Sequence, residues 1–165
     1  MKNTITVAGL GPGSIEYLPG RVFDLLKQTD TRIFLRTEKH PVVEHLARQG
    51  LEFESLDFLY ERGETFEEVY GLIVDLLLDA AKTGEIVYAV PGHPFVAEKT
   101  VAMLMEKAGR ERVDAVPAMS CIDAVFAALR LDPTRGITIC DCQDLKGGSM
   151  DMSRSMLCTQ FYSRE

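Results

Sequence analysis

Clustered positive charge is scarce: 18 Lys and Arg stand against 25 Asp and Glu, for a formal net charge of −7, with no basic run. Nucleic-acid backbones are gripped by grouped Lys and Arg, so a nucleic-acid surface is not expected as the main business of this chain. Long apolar runs are also missing, and none approaches the ~20 residues of a membrane helix. The N-terminus enters directly into "KNTITVAG" without the apolar core of a signal peptide. The expectation is a soluble, cytoplasmic protein with no membrane partner. Cysteine is limited to Cys121, Cys140, Cys142 and Cys158, read as reduced thiols in the absence of a secretion signal. No C-x-x-C pair or histidine cluster completes a metal site around Cys140 and Cys142. Instead "ITICDC" reads as a strand, whose alternate residues share a face. Repeats and low-complexity tracts are absent too.

What is present fits one α/β unit. A length of 165 residues is ordinary for a single domain, and about two-thirds of the unfolded surface is buried at this size. Strand and helix patterns alternate, which predicts an open, mainly parallel sheet with flanking helices. "TITVAG" (Thr4 to Gly9) is the first strand, and Pro19 opens a helix with Leu18, Val22, Leu25 and Leu26 on its stripe. "TRIFLR" (Thr31 to Arg36) is the second strand, and a short helix follows from Pro41 to Gly50, with His40 at its start. The clearest helix runs from Phe66 to Thr83. Thr65 and Glu68 form its capping box, Phe66, Val69, Tyr70, Ile73, Leu76, Leu77 and Ala80 its buried face, and Gly84 a left-handed stop. "EIVYAV" (Glu85 to Val90) is a buried strand, followed by a helix through Val101, Leu104, Met105 and Ala108 and by the strand "RVDAV" (Arg112 to Val116). Ser120 and Asp123 resemble a second capping arrangement. Beyond them come "GITICDC", a loose "KGGSMDMSRS" and a last strand "MLCTQFY". The boundary is drawn at 117/118. Residues 1–117 form the α/β subdomain and 118–165 the start of a second, which is thin for an independent domain and reads as part of a longer protein.

Three breaks directly follow strands: "GLGPGS" (Gly9 to Ser14), "PGHP" (Pro91 to Pro94) and "PAMSC" (Pro117 to Cys121). In a parallel sheet all such loops share the carboxyl edge, where open α/β sheets bind ligands at a switch in strand order. Any one of them could simply end its strand, but three together predict a composite cleft. A phosphate cradle is disfavoured, because no Lys follows the glycines as G-x-x-x-x-G-K-[ST] requires. The dinucleotide pattern G-x-G-x-x-G is damaged: Gly9 and Gly11 match, Ser14 takes the third place, and Pro12 removes an amide. Its ribose-binding acid would fall near Thr29 or Asp30.

These segments resemble the tetrapyrrole (corrin/porphyrin) methylase family. "TVAGLGPGS" is similar to its N-terminal G-x-G-P-G-[D/S] signature, "VYAVPGHPFVAEKT" to a second usually written with G-D-P, and "VPAMSCIDAVFAALRLDP" to a third beginning P-G-[IM]-S. The likeness runs through all 165 residues. It is strongest for members fused to a MazG-type nucleotide pyrophosphohydrolase, through "FLRTEKHPVVEHLARQGLEFESLDFLYE" and "YAVPGHP".

The resemblance implies a two-domain methyltransferase that uses S-adenosyl-L-methionine, forms a homodimer and continues into a pyrophosphohydrolase. By position in the signatures, Pro12, Pro91, Gly92, His93, Pro94, Val96, Ser120 and Cys121 would meet the cofactor. Gly11, Gly13 and Ser14 would line the substrate side, and Arg36, ending a strand at the same edge, would meet an anionic substrate. No residue is assigned as catalytic. His93 in place of Asp, Ser14 in place of Asp and Ala118 in place of Gly put a tetrapyrrole acceptor in doubt more than cofactor binding. The acceptor, a small molecule or a modified macromolecule, is not legible. Because the family's second domain extends further, the resemblance implies weak cofactor binding by the 165 residues alone. A second role stays open: a non-catalytic module that senses a ligand for the fused pyrophosphohydrolase. Methyl transfer from a sulfonium needs alignment and exclusion of water more than acid–base groups. Loops rich in Gly and Pro supply close backbone approach and fixed turns.

Overall fold

The computed structural model describes residues 5–28, 30–142, 145 and 155–160. By its internal contacts the chain divides into Met1–Cys121 and Ile122–Glu165.

The first unit holds a five-stranded sheet of β1 (Ile5–Gly9), β2 (Arg32–Leu35), β3 (Glu54–Ser55), β4 (Ile86–Val90) and β5 (Val113–Val116). Their order is β3-β2-β4-β1-β5, and every pairing is parallel. The open parallel sheet expected from the alternation is therefore present. Helices α1 (Gly20–Leu26) and α2 (Pro41–Arg48) lie on one face, and α3 (Phe66–Ala80) and α4 (Lys99–Ala108) on the other. Strand periodicity sorts the core between them. Ile86, Tyr88 and Val90 pack with α3 and α4, while Val87 and Ala89 pack with α1 and α2. A strand covered on both faces needs apolar residues at every position, which is why β4 reads IVYAV and is buried throughout.

The structure adjusts several expected boundaries. Thr4 lies outside the described residues, and β1 begins at Ile5. Pro19 stands one residue before α1, in extended conformation. Thr65 Oγ1 accepts from the Glu68 amide as expected, but Glu68 Oε2 accepts from the Glu64 amide, so the return arm of the capping box reaches one residue further back. Helix α3 stops at Ala80 rather than Thr83. Gly84 is not left-handed, and the Thr83 amide and hydroxyl close the helix on the Ala80 carbonyl instead. Phe66, placed on the buried stripe, is 50% exposed and stacks on Tyr70. Between α2 and α3, β3 and a 3-10 turn over Asp57–Glu61 fill a stretch in which no element was expected.

In the second unit, α5 (Cys121–Leu129) continues from the boundary, and β6 (Ile137–Asp141) pairs in parallel with β7 (Ser155–Thr159). Leu129, the last residue of this helix, is 68% exposed. Cys140 and Cys158 are register partners, with their thiols 3.7 Å apart and free. Most of "KGGSMDMSRS" and the last residues of "MLCTQFY" lie outside the described residues. Among the described residues, no helix is long and apolar enough to cross a membrane.

Candidate functional site

The strand order places the three predicted loops side by side. β4, β1 and β5 are neighbours, so "PGHP", "GLGPGS" and "PAMSC" leave three adjacent strands at the carboxyl edge. The strand order changes direction at the same place. After β1 the chain passes through α1 on one face, and after β4 through α4 on the other, which opens a crevice between them.

The loops are joined by the backbone. Gly11 and Gly92 exchange two hydrogen bonds, of 3.2 Å from the Gly11 amide and 2.8 Å from the Gly92 amide, and the Leu10 amide donates to the Val90 carbonyl at 2.8 Å. Gly11 at φ 78° and Gly92 at φ 64° adopt left-handed backbone that L side chains rarely take. Gly9 marks the meeting point of all three loops. A Cβ there would stand 2.5 Å from the Gly92 carbonyl oxygen, 2.8 Å from Ala118 Cβ and 2.9 Å from Pro94 Cδ. A Cβ on Gly92 would meet nothing within 4 Å, so this turn faces open space. The amides of Leu10 and Gly11 are spent on the neighbouring loop, which leaves them unable to cradle a phosphate.

A residue given only a structural role in the sequence also reaches the first loop. His40 caps α2, with Nδ1 accepting from the Val42 amide at 3.4 Å. That leaves the proton on Nε2, which donates to the Gly11 carbonyl at 3.0 Å. The carbonyl thus accepts from both Gly92 and His40. Burial holds the His40 pKa below its ordinary value, partly offset by the hydrogen bond to Gly11. The sequence signal was the position before Pro41, which marks a helix start but says nothing about a partner 29 residues away.

Other predicted residues fall into three groups. Pro12, Gly13 and Ser14 follow Gly11 on the first loop, where the exposed Ser14 hydroxyl bonds to Glu16. That bond is the main cause holding the Glu16 carboxyl below its usual value. On the second loop, Pro91, Gly92 and His93 are half-buried and Pro94 is buried. His93 does not cap α4; its Nδ1 accepts from the Phe95 amide at 3.1 Å, and its carbonyl from the Val96 amide at 3.0 Å, folding the turn onto itself. On the third loop, buried Ser120 and exposed Cys121 lead into α5.

Arg36 is held away from solvent. Its amide donates to the Ala89 carbonyl at 2.9 Å, its Nε lies 3.5 Å from Glu98 Oε1, and both side chains are 11% exposed. Glu98 caps α4 through the Thr100 amide at 3.3 Å and accepts from the Thr100 hydroxyl at 2.6 Å. The Thr100 hydroxyl in turn receives the Tyr88 phenol at 2.8 Å. Burial, with the Glu98 charge second, pushes the Tyr88 pKa up and keeps the phenol a donor. Glu98, Thr100 and Tyr88 were not foreseen as part of the site, because nothing local marks them.

Among the described residues, two hollows large enough for ligands stand out. One of about 490 Å³ lies beside the second loop, between Pro94, Phe95, Glu98, Met105 and Arg110. The larger, about 700 Å³, opens at the amino ends of β2 and β3 around Phe23, Ile33, Leu51 and Phe53, and contains none of the loop residues. Size favours the second and chemistry the first. The backbone linkage of three irregular loops at a switch in strand order is the more telling feature, because it joins three adjacent strand ends and the larger hollow touches none of them.

Known proteins share the fold of this chain. A Bacillus subtilis (strain 168) protein named "Uncharacterized protein YabN" is 38% identical over 166 residues, covering 99% of this chain and 34% of its own length. The chain thus spans about a third of that relative. Among solved structures, uroporphyrin-III-C-methyltransferase from Thermus thermophilus matches with a TM-score of 0.61 at 23% identity, over 87% of this chain and 62% of its own. Diphthine synthase matches with a TM-score of 0.61 at 18% identity, over 82% and 53% of the respective chains. These structural likenesses show the fold. The family described as Tetrapyrrole (Corrin/Porphyrin) Methylases matches residues 4–150, a span that contains all three loops, and the chain belongs to it.

Proposed function

We propose that the chain is an S-adenosyl-L-methionine-dependent methyltransferase domain whose ligand cleft is the junction of the three loops. The observation that carries this reading is the convergence on Gly9 of loops from three adjacent strands, at the point where the chain changes face. Family membership and the methyltransferases among its structural neighbours support it.

In this reading Pro91, Gly92, His93, Pro94 and Val96 hold the cofactor from one side, with Ser120 and Cys121 from another and Pro12 at the edge. The open space over Gly92 suits the cofactor: a turn with no Cβ and nothing within 4 Å can receive a bulky ligand against its backbone. The cofactor, when bound, supplies a methyl group already activated on sulfonium. The chain's own work is to fix the turn, orient the acceptor along Gly11, Gly13 and Ser14, and exclude water. The homodimer, the continuation into a MazG-type pyrophosphohydrolase and the methyl acceptor belong to the same proposal.

Isothermal titration of the longer protein with S-adenosyl-L-methionine tests the cofactor. Saturable heat, lost in a Gly92→Ala variant, is expected; no heat and no thermal shift at millimolar cofactor would overturn the reading. Binding without methyl turnover across candidate acceptors would favour the ligand-sensing role instead. Light scattering tests the dimer, and a pyrophosphohydrolase assay on the longer protein tests the fusion.

A further inference from the structure

We infer that Glu98 and Arg36 form a latch that sets the shape of the Gly92–Ala97 turn and makes them positioning residues for the ligand this turn holds. The inference rests on the cofactor reading above for the identity of the ligand, but the latch itself can be tested without it.

Ala97 shows why the turn needs a latch. It leaves the turn at φ 54°, a left-handed conformation that residues with a Cβ adopt rarely and that persists only when the surroundings over-determine it. Its neighbour Glu98 is fixed from both sides. Toward α4, Glu98 Oε1 accepts from the Thr100 amide and hydroxyl, and the chain of donors continues to the Tyr88 phenol on the central strand β4. Toward β2, the same oxygen lies 3.5 Å from Arg36 Nε. One carboxylate therefore closes the helix start, balances a cation and anchors the end of the turn.

The cation is held as firmly as the carboxylate. The Arg36 amide is bonded to Ala89 on the strand that launches the turn. The guanidinium lies over the rings of Tyr60 and Tyr70, at 4.9 and 5.2 Å, from the Asp57–Glu61 turn and from α3. Its Nε is buried and makes no hydrogen bond, so Glu98 and the two ring faces are what compensate its charge on that side. Arg36 thus serves as the counter-ion of Glu98, and the aromatic pair ties the turn to two further elements.

Hydrogen–deuterium exchange of the chain tests the latch, comparing wild type with Glu98→Gln, Glu98→Ala, Arg36→Met and the double variant Arg36→Met with Glu98→Gln. Glu98→Gln keeps an acceptor for Thr100 and removes only the charge, so it guards against simple loss of the helix cap. Exchange at the amides of Phe95 to Ala97 is expected to quicken about tenfold or more in Glu98→Ala and Arg36→Met, and less in Glu98→Gln, while β1 and β4 keep wild-type protection. The double variant should recover part of the loss in Arg36→Met, because it no longer buries an unpaired carboxylate. The dissociation constant of S-adenosyl-L-methionine is expected to rise in the same order. Wild-type exchange at Phe95 to Ala97 in both Glu98→Gln and Arg36→Met, or acceleration spread evenly over β1 and β4, would overturn the latch. Local acceleration with unchanged cofactor affinity would overturn the positioning role. If the wild-type longer protein takes up no cofactor, the cofactor reading fails, and the exchange data still decide the latch.

Discussion

A methyl group on Gly9 would strike a backbone carbonyl and two side chains, one from each neighbouring loop, whereas a methyl group on Gly92 would enter open space. The two glycines therefore separate stability from binding. Gly9→Ala is expected to destabilise the fold by about 1–3 kcal/mol through overpacking against parts that cannot move independently. Gly92→Ala should cost about 1–2 kcal/mol, for left-handed backbone alone, yet abolish saturable cofactor binding. Urea unfolding of both variants, with titration alongside, checks the contrast. His40 sets a pH dependence at the same scale. Its folded pKa is depressed by burial, so its contribution is fully present above the ordinary histidine value of about 6.5 and is lost as pH falls through the lower folded value. Stability should decline as pH falls from about 6.5 toward the lower folded value, and His40→Ala should flatten this part of the profile in thermal melts from pH 7.5 to 5.

At the level of elements, local chemistry was legible at several helix boundaries, though not at Gly84. The Thr65 cap, the start at Pro41 and the left-handed Gly50 and Gly109 all stand where the sequence puts a helix boundary. Thr65→Ala should lower stability by about 1 kcal/mol by orphaning the Glu68 amide, measurable in urea. One element missed was β3, just two residues long, which exists because Phe34 and Leu35 offer a free strand edge to Glu54 and Ser55. Phe66 shows the opposite failure. Spacing puts it on the buried stripe of α3, but periodicity tells which way a residue points and not how far the covering surface extends.

For the whole molecule, burial is uneven. Among the described residues, every buried hydrophobic residue lies between Ile5 and Val116, and α5, β6 and β7 contribute none. Amides of β1 and β4 should therefore exchange slowest, and those of β6 and β7 orders of magnitude faster, in native-state hydrogen exchange. Equal protection in the two groups would show that the burial pattern does not govern opening. The family match spans residues 4–150 and so crosses from one unit into the other.

The sequence by itself determined the parallel α/β class and the three strand-end loops, because both are written in local periodicity and in residues with special backbone preferences. It also placed Gly9, Gly11 and Gly92 at the edge where ligands bind. Tertiary structure alone decided which strands are neighbours, and hence that the three loops meet. It likewise decided that His40 donates to Gly11 and that Arg36 pairs with Glu98, 62 residues downstream by their numbers. Those contacts depend on long-range packing of β2, β4 and the turns above them, and no local pattern in a single sequence encodes a partner that far away.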